Sequence, residues 1–343
     1  MSIGQIECRI LELLRARGCP VSGQRICSEF GLTRAAIWKH VEALRNADYQ
    51  IEAAPGRGYR LVSAPDRPYP WEVTPLLETV RLGRSFHYLD ETDSTNREAG
   101  DMAAAGAPEG AVVVAETQTG GRGRMNRTWF SPPGASLYFS VVLRPPIVPH
   151  RAPQISLVAA LALARALELG DTELTVGFKW PNDLLIGDRK ISGILCDMRA
   201  ETDRVHWLVL GIGLNVNVRL EEFPEELRET ATSLRRETGR VQPRVHVLAR
   251  VLGCLERVYG QWLDDGLSSL LPELEQRSVL NGSTIAVDSG REVIRGTVRG
   301  LSERGGIVLE PGEKGAGLRE IVCGDIHILR MSDARGGAVD QRH

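Results

Sequence analysis

Several common signals are missing from these 343 residues. The six cysteines (Cys8, Cys19, Cys27, Cys196, Cys254 and Cys323) form no CxxC pair and no Cys/His cluster of zinc spacing. That excludes a zinc module and points to free thiols in a reducing compartment. No basic-then-apolar leader opens the chain. The longest apolar run, 157–164, stops at Arg165, short of a membrane span. A cytoplasmic protein without membrane contact is expected. The net charge is −2, so no global field draws the chain to nucleic acid. The charge is uneven, however. Residues 1–62 carry nine Lys/Arg against six Asp/Glu, a basic head on an acidic body. The length suits two or three domains.

What is present begins with that head. Ile6, Ile10 and Leu14 recur every four residues and define one helical face. Ser22 opens a short helix with Ile26 and Phe30 inward and Gly31 after its end. Thr33 is a good N-cap for the next helix, with Ile37, Val41 and Leu44 on one face. The Gly31-Leu32-Thr33 joint has helix-turn-helix length. Early on that second helix, Arg34, Ala35, Trp38 and Lys39 are the exposed positions a recognition helix would turn to DNA. Gln50–Leu61 then reads as two short strands around Pro55-Gly56-Arg57-Gly58, a hairpin with a basic tip. Arg57, with Arg60 nearby, would reach phosphate or the minor groove. Together these predict a winged helix-turn-helix over residues 1–62. Three prolines within Ser63–Pro70 predict a semi-rigid linker, placed at 63–75.

Residues 76–277 alternate strand-like and helix-like segments. Strands are predicted at 111–115, 136–143 and 205–212, and a buried helix at 155–169. Residues 278–330 read as a small all-β module with strands at 283–287, 293–301, 306–309 and 320–328, and residues 331–343 as a disordered tail.

The stretch Gln118-Thr-Gly-Gly-Arg-Gly-Arg-Met-Asn-Arg-Thr-Trp129 packs three glycines and three arginines into ten residues and ends on an indole. Glycines permit close backbone approach to an anion, arginines supply forked cationic donors, and an indole can stack on a purine. The segment has neither the order of a P-loop nor that of a dinucleotide-binding turn. Three further segments carry polar or charged groups suited to a site. Glu91–Asn96 offers hydroxyls and an amide. Phe178-Lys-Trp-Pro-Asn-Asp183 places a lysine between aromatics at a strand end. Leu210-Gly-Ile-Gly-Leu-Asn-Val-Asn217 could let a ligand approach the backbone through its glycines, or merely pack tightly.

The ordered set Asp93–Asn96, Gly121–Arg124 with Trp129–Pro132, Lys179–Asp183, Lys190–Ile194 and Gly211–Asn215 resembles the biotin–protein ligases over nearly the whole chain. With the winged helix in front, it resembles the bifunctional ligase and biotin operon repressor. Asn126 stands where many relatives have glycine. Asparagine tolerates left-handed backbone, so the loop is expected to keep its shape.

The resemblance implies a multidomain α+β fold: winged helix-turn-helix, central class II synthetase-like mixed α/β catalytic domain, and C-terminal SH3-like β-barrel. It implies activation of biotin by ATP to biotinyl-5′-AMP, then transfer to a lysine of a carboxylase carrier domain. Ser94, Thr95, Asn96 and Gln118 would bind the ureido end of biotin, with the backbone at Arg122 and Gly123 closing over it. Gly121, Arg124, Arg127, Trp129, Asn182 and Asn215 would hold the adenylate. Trp129 would cover the adenine and the two asparagines read it. Lys179, Arg122 and Arg124 would be catalytic, with Lys179 bridging carboxylate and α-phosphate. Asp183 is a candidate base for the acceptor lysine. Mg²⁺ would arrive with ATP, since no dedicated protein cage is visible. The winged helix would bind operator DNA as a homodimer favoured by the adenylate. A lipoate–protein ligase is disfavoured by Gly121–Arg124 and by the winged helix. A non-catalytic biotin sensor is disfavoured by Lys179 and three arginines, which sensing biotin alone does not need.

Overall fold

A computed structural model describes residues 3–17, 19–54, 56–288, 292–312, 317–322 and 324–328. The expected tail at 331–343 lies outside the described residues. The chain divides into two compact units, Met1–Arg67 and Pro68–His343.

The first unit contains α1 (Gln5–Arg17), α2 (Gly23–Phe30), α3 (Arg34–Asn46), β1 (Gln50–Ala54) and β2 (Gly58–Ser63). Ile10, Leu11, Leu14, Ile26, Ile37, Val41 and Leu44 are buried between the helices. Local chemistry sets the boundaries. Ser22 Oγ accepts from Arg25 N, and Thr33 Oγ1 from Ala36 N. Each satisfies an orphan donor of a first helical turn. Gly31 ends α2 at φ +66°. β1 and β2 pair antiparallel as the expected wing.

The second unit begins earlier than the predicted linker allows. α4 (Pro70–Val73) lies within 63–75, and Tyr69 and Val73 are buried. The proline-rich stretch leads straight into packed chain, because Pro70 sits at a helix N-terminus where its missing N–H costs nothing. There follow β3 (Phe86–Thr92), α5 (Thr95–Ala104), β4 (Val112–Gln118), β5 (Ser136–Leu143), α6 (Gln154–Gly170), β6 (Val176–Lys179), β7 (Asp183–Ile186), β8 (Arg189–Ala200), β9 (Val205–Asn215), α7 (Leu234–Thr238), α8 (Arg244–Asp265) and α9 (Leu271–Arg277). Seven strands form one mixed sheet in the order β3-β4-β5-β9-β8-β7-β6, with only the β3/β4 pair parallel.

Strand alternation sorts the two faces. Val112, Val114, Leu137, Phe139, Val141, Leu208, Leu210 and Ile212 join α6 and α8 in the main core. Val113, Val142 and Val209 turn the other way, against Ala99 and Ala103 of α5. By the same period of two, Ser140, Gly211 and Gly213 belong to the α5 face. That face carries the site. Pro149–Gly170 is apolar enough and long enough to cross a membrane, but 72% of its most apolar window is buried inside the protein; α6 is the core helix.

The C-terminal strands are β10 (Thr284–Asp288), β11 (Val293–Leu301), β12 (Ile307–Glu310), β13 (Arg319–Ile321) and β14 (Asp325–Ile328). They form a five-stranded sheet in the order β13-β12-β11-β10-β14. The single strand expected at 320–328 is two, which pair with different neighbours. This sheet shares one continuous core with the seven-stranded body, since Ile285, Val287 and Ile307 cluster with Leu157 and Trp180. Trp180 Nε1 donates to Gly305 O at 2.9 Å across that junction.

Candidate functional site

At the end of β4, Gln118 meets the first turn of α5. Thr95 N–H donates to Gln118 Oε1 at 2.9 Å, and the two hydroxyls of Thr95 and Ser140 lie 2.8 Å apart. Ser140 Oγ is also 2.7 Å from Asn96 Oδ1, and Asn96 Nδ2 donates to Asp197 Oδ2 at 2.7 Å. Thr95 and Ser140 are buried. A buried polar group must find partners, and here they form a chain from Gln118 to Asp197. Asn96, expected to meet ligand directly, has both amide atoms engaged with protein. The structure makes it a strut across the sheet.

The glycines of the Gly211-Ile-Gly213 segment serve the tight-packing alternative. A Cβ on Gly211 would come within 1.9 Å of Asn96 Oδ1, and one on Gly213 within 2.4 Å of the Trp129 ring. The strand is bare because two side chains lie on it.

The arginine-rich loop is folded back on itself. Gly120 N–H donates to Asp93 O, Gly123 N–H to Arg127 O and Trp129 N–H to Gly121 O. Asn126 adopts φ +57°, as its tolerance predicts, and Met125 shares this left-handed backbone at +55°. Gly121 does not reach the cavity expected of it: its α-carbon faces Ser131 Oγ and the Gln118 amide, so it packs the base of the loop. Arg122 and Arg127 are exposed. Arg124 donates to Gly324 O at 3.0 Å.

Trp129 lies over the Gly193 and Gly213 backbone, and its buried Nε1 has no hydrogen-bond partner among the described residues. Lys190 Nζ sits 5.4 Å from the centre of the same indole and 2.6 Å from Asp183 Oδ1. Lys190 opens the Lys190–Ile194 motif, where no role for it was expected. Its signal was adjacency: β7 and β8 form a hairpin that returns Lys190 to Asp183, seven positions earlier.

One cavity of about 420 Å³ gathers these groups. Ser94, Thr95, Asn96 and Gln118 line it together with Arg122, Gly123, Arg124, Arg127 and Trp129. Lys179, Asn182, Asp183, Lys190 and Asn215 line it as well, as do the apolar Phe223, Leu227 and Ala231. A wider groove of about 1060 Å³ adjoins it, sharing Ser94, Asn96, Arg122, Arg124 and Asn182. The two expected base readers are tied down: Asn182 Nδ2 donates to Ile194 O at 2.8 Å and Asn215 Nδ2 to Thr232 O at 3.0 Å. Each fastens one wall strand to a neighbouring segment. No group of three His, Cys, Asp or Glu suited to a metal occurs among the described residues.

In the first unit, Arg34, Ala35, Trp38 and Lys39 are exposed on α3, Trp38 at 54%. Arg57 is exposed at the wing turn. Arg60 is engaged with Glu52 at 2.7 Å across the hairpin, so its charge is partly answered.

Comparison with known proteins agrees with both parts. Residues 88–215 match the biotin/lipoate A/B protein ligase family, and residues 8–60 match an HTH domain. The bifunctional ligase/repressor BirA of Bacillus spizizenii is 36% identical over 320 residues, covering 93% of this chain and 97% of that protein. The Escherichia coli BirA is 31% identical over 313 residues, covering 90% and 94%. A biotin protein ligase from Aquifex aeolicus in complex with biotin and ATP superposes with a TM-score of 0.62 at 32% identity, covering 72% of this chain and 99% of that one. A DNA-binding head before a ligase body, both matched over nearly their full length, makes this chain a member of the bifunctional biotin–protein ligase and repressor family.

Proposed function

We propose that the 420 Å³ cavity performs both half-reactions of biotin–carrier ligation. The observation that carries this reading is the shared cavity itself: a fixed chain of polar groups and a lysine–aspartate pair beneath an indole open into the same space. Biotin's ureido ring sits against Thr95 and Gln118, beside Ser94. The loop backbone at Arg122 and Gly123 covers it. The valerate carboxylate reaches the cations, where one of its oxygens attacks the α-phosphate of ATP. A P–O bond forms, the bond to the β-phosphate breaks, and pyrophosphate leaves.

A carboxylate is ionised at neutral pH and needs no base for this step. What it needs is positive charge fixed where two anions meet. Lys190 supplies that charge, with Lys179, Arg122, Arg124 and Arg127 lining the same cavity. Trp129 covers the adenine, and Phe223, Leu227 and Ala231 supply an apolar wall. Asn182 and Asn215 hold that wall in place. Mg²⁺ would arrive held by the phosphates of ATP and would supply charge neutralisation for the leaving pyrophosphate; no metal cage of its own occurs among the described residues.

In the second step the carrier lysine's amine attacks the acyl carbon, a C–N bond forms, and AMP leaves. Asp183, which lines the cavity, takes the amine's proton. The C-terminal sheet, residues 278–330, serves as an SH3-like cap on this side. In the cytoplasm the winged helix binds operator DNA as a homodimer that the adenylate favours.

The decisive experiment follows transfer of labelled biotin to a carrier domain and operator binding in one preparation. Transfer dependent on ATP is expected. Tighter binding of lipoate than biotin in calorimetry would replace the reading with lipoate ligation, and biotin binding without pyrophosphate release would leave a sensor. Operator affinity unaffected by biotin plus ATP would remove the ligand-linked dimer.

A further inference from the structure

We infer that Asp197, exposed on β8, is a positioning residue that fixes the direction of the protons in the chain facing biotin's ureido ring. The inference rests on the biotin reading above and extends it.

β7 pairs with β8 only through Gly193, so Asp197 stands beyond the β7 pairing, exposed to solvent. Its side chain nevertheless reaches the inner chain through Asn96. A carboxylate only accepts, so the Asn96 atom 2.7 Å from it must be Nδ2. The Leu195 carbonyl, at 3.4 Å, is a weak second acceptor. The atom facing Ser140 is therefore Oδ1, which also only accepts. Ser140 has one proton and gives it to Asn96, 2.7 Å away. Thr95 Oγ1 also lies 3.2 Å from Gln118 Oε1, a second acceptor, so the two hydroxyl protons serve three contacts. They go to the two shorter ones, and across the 2.8 Å contact between hydroxyls Thr95 is the donor. At the far end the Thr95 backbone N–H fixes Gln118 with Oε1 inward, which leaves Nε2 toward Ser131 and the cavity.

With this polarity, Thr95 Oγ1 keeps two lone pairs and Gln118 keeps its N–H donors. A cyclic urea offers N–H donors beside a carbonyl acceptor, the complementary pattern. Were Asn96 to flip, Ser140 would turn its proton to Thr95 and Thr95 would turn its own to Gln118. Thr95 would then retain one lone pair.

The test uses the full-length protein. Asp197→Leu should raise KM for biotin about tenfold, the loss of one charge-assisted hydrogen bond, with KM for ATP and kcat at saturating biotin unchanged. Asp197→Asn keeps a carbonyl acceptor and should stay near wild type. Asn96→Asp sets two carboxylates face to face and should bind biotin poorly. Asn96→Asp with Asp197→Asn returns a donor to the pair, keeps an acceptor toward Ser140, and should recover most of the loss. Unchanged biotin KM in Asp197→Leu overturns the inference, as does a double variant no better than folded Asn96→Asp. A wild-type protein that binds no biotin would instead overturn the underlying reading.

Discussion

Lys190 and Asp183 form an ion pair 2.6 Å long inside the ligand cavity. Asp183 holds the Lys190 ammonium in a fixed position, and a preset charge is what transition-state stabilisation requires. Lys190→Ala should therefore slow biotin-dependent pyrophosphate release by about a hundredfold or more, and by more than Lys179→Ala. Single-turnover release assays on both variants would decide between them. A larger loss in Lys179→Ala would return the bridging role to the lysine singled out from sequence.

Two glycines separate the two halves of the pocket. A Cβ on Gly211 meets Asn96 and one on Gly213 meets the Trp129 ring, both far inside contact distance. Gly211→Ala should weaken biotin binding with ATP affinity largely kept. Gly213→Ala should displace the indole and weaken ATP. Calorimetric titration of each variant with each substrate checks the crossing, and equal effects on both ligands would show that the sheet itself had distorted.

The motifs named the polar side of this cavity, because loops and strand ends carry chemistry in contiguous residues, but not its apolar wall of Phe223, Leu227 and Ala231. Trp129, Gln118 and Thr95 were legible in that way. Ser140 was not, since a serine inside Ser136–Leu143 looks like any buried strand residue until β9 places Gly211 opposite it. Asp197 was hidden for the same reason: its partner Asn96 is 101 positions away. The asparagines show the opposite limit. Asn182 and Asn215 sit in motif positions, yet their amides fasten backbone, a use that spacing alone does not reveal. The proline-rich linker was overextended because Pro70 begins a helix as readily as it stiffens a coil.

Glu256 of α8 accepts hydrogen bonds from the backbone N–H groups of Val80, Arg81 and Leu82, at 2.6, 2.8 and 2.8 Å. Burial opposes its charged form, but the three donors outweigh burial and hold its pKa below the ordinary 4.5. A carboxyl with a depressed folded pKa stabilises the fold above its unfolded pKa. That contribution is lost as pH falls through the folded value. Glu256→Gln should lower the melting temperature near neutrality and flatten its decline below about pH 5. Parallel acid limbs in wild type and variant would remove Glu256 from the pH dependence.

The first unit should answer to different variants from those that affect the ligase. Arg34 and Lys39 are exposed early on α3, and Arg57 is exposed at the wing. Arg60, already paired with Glu52, has less charge to offer. Each phosphate contact releases about one counterion, so losing one weakens binding and lowers the salt slope by about one. Arg57→Ala should do this more than Arg60→Ala, and Arg34→Ala or Lys39→Ala should weaken operator binding with biotin transfer intact. Anisotropy titrations of operator DNA at several salt concentrations, beside a transfer assay, read both quantities. A slope unchanged in Arg57→Ala would take the wing off the phosphate backbone, and a slope changed in Arg60→Ala alone would show that DNA displaces Glu52 from its partner.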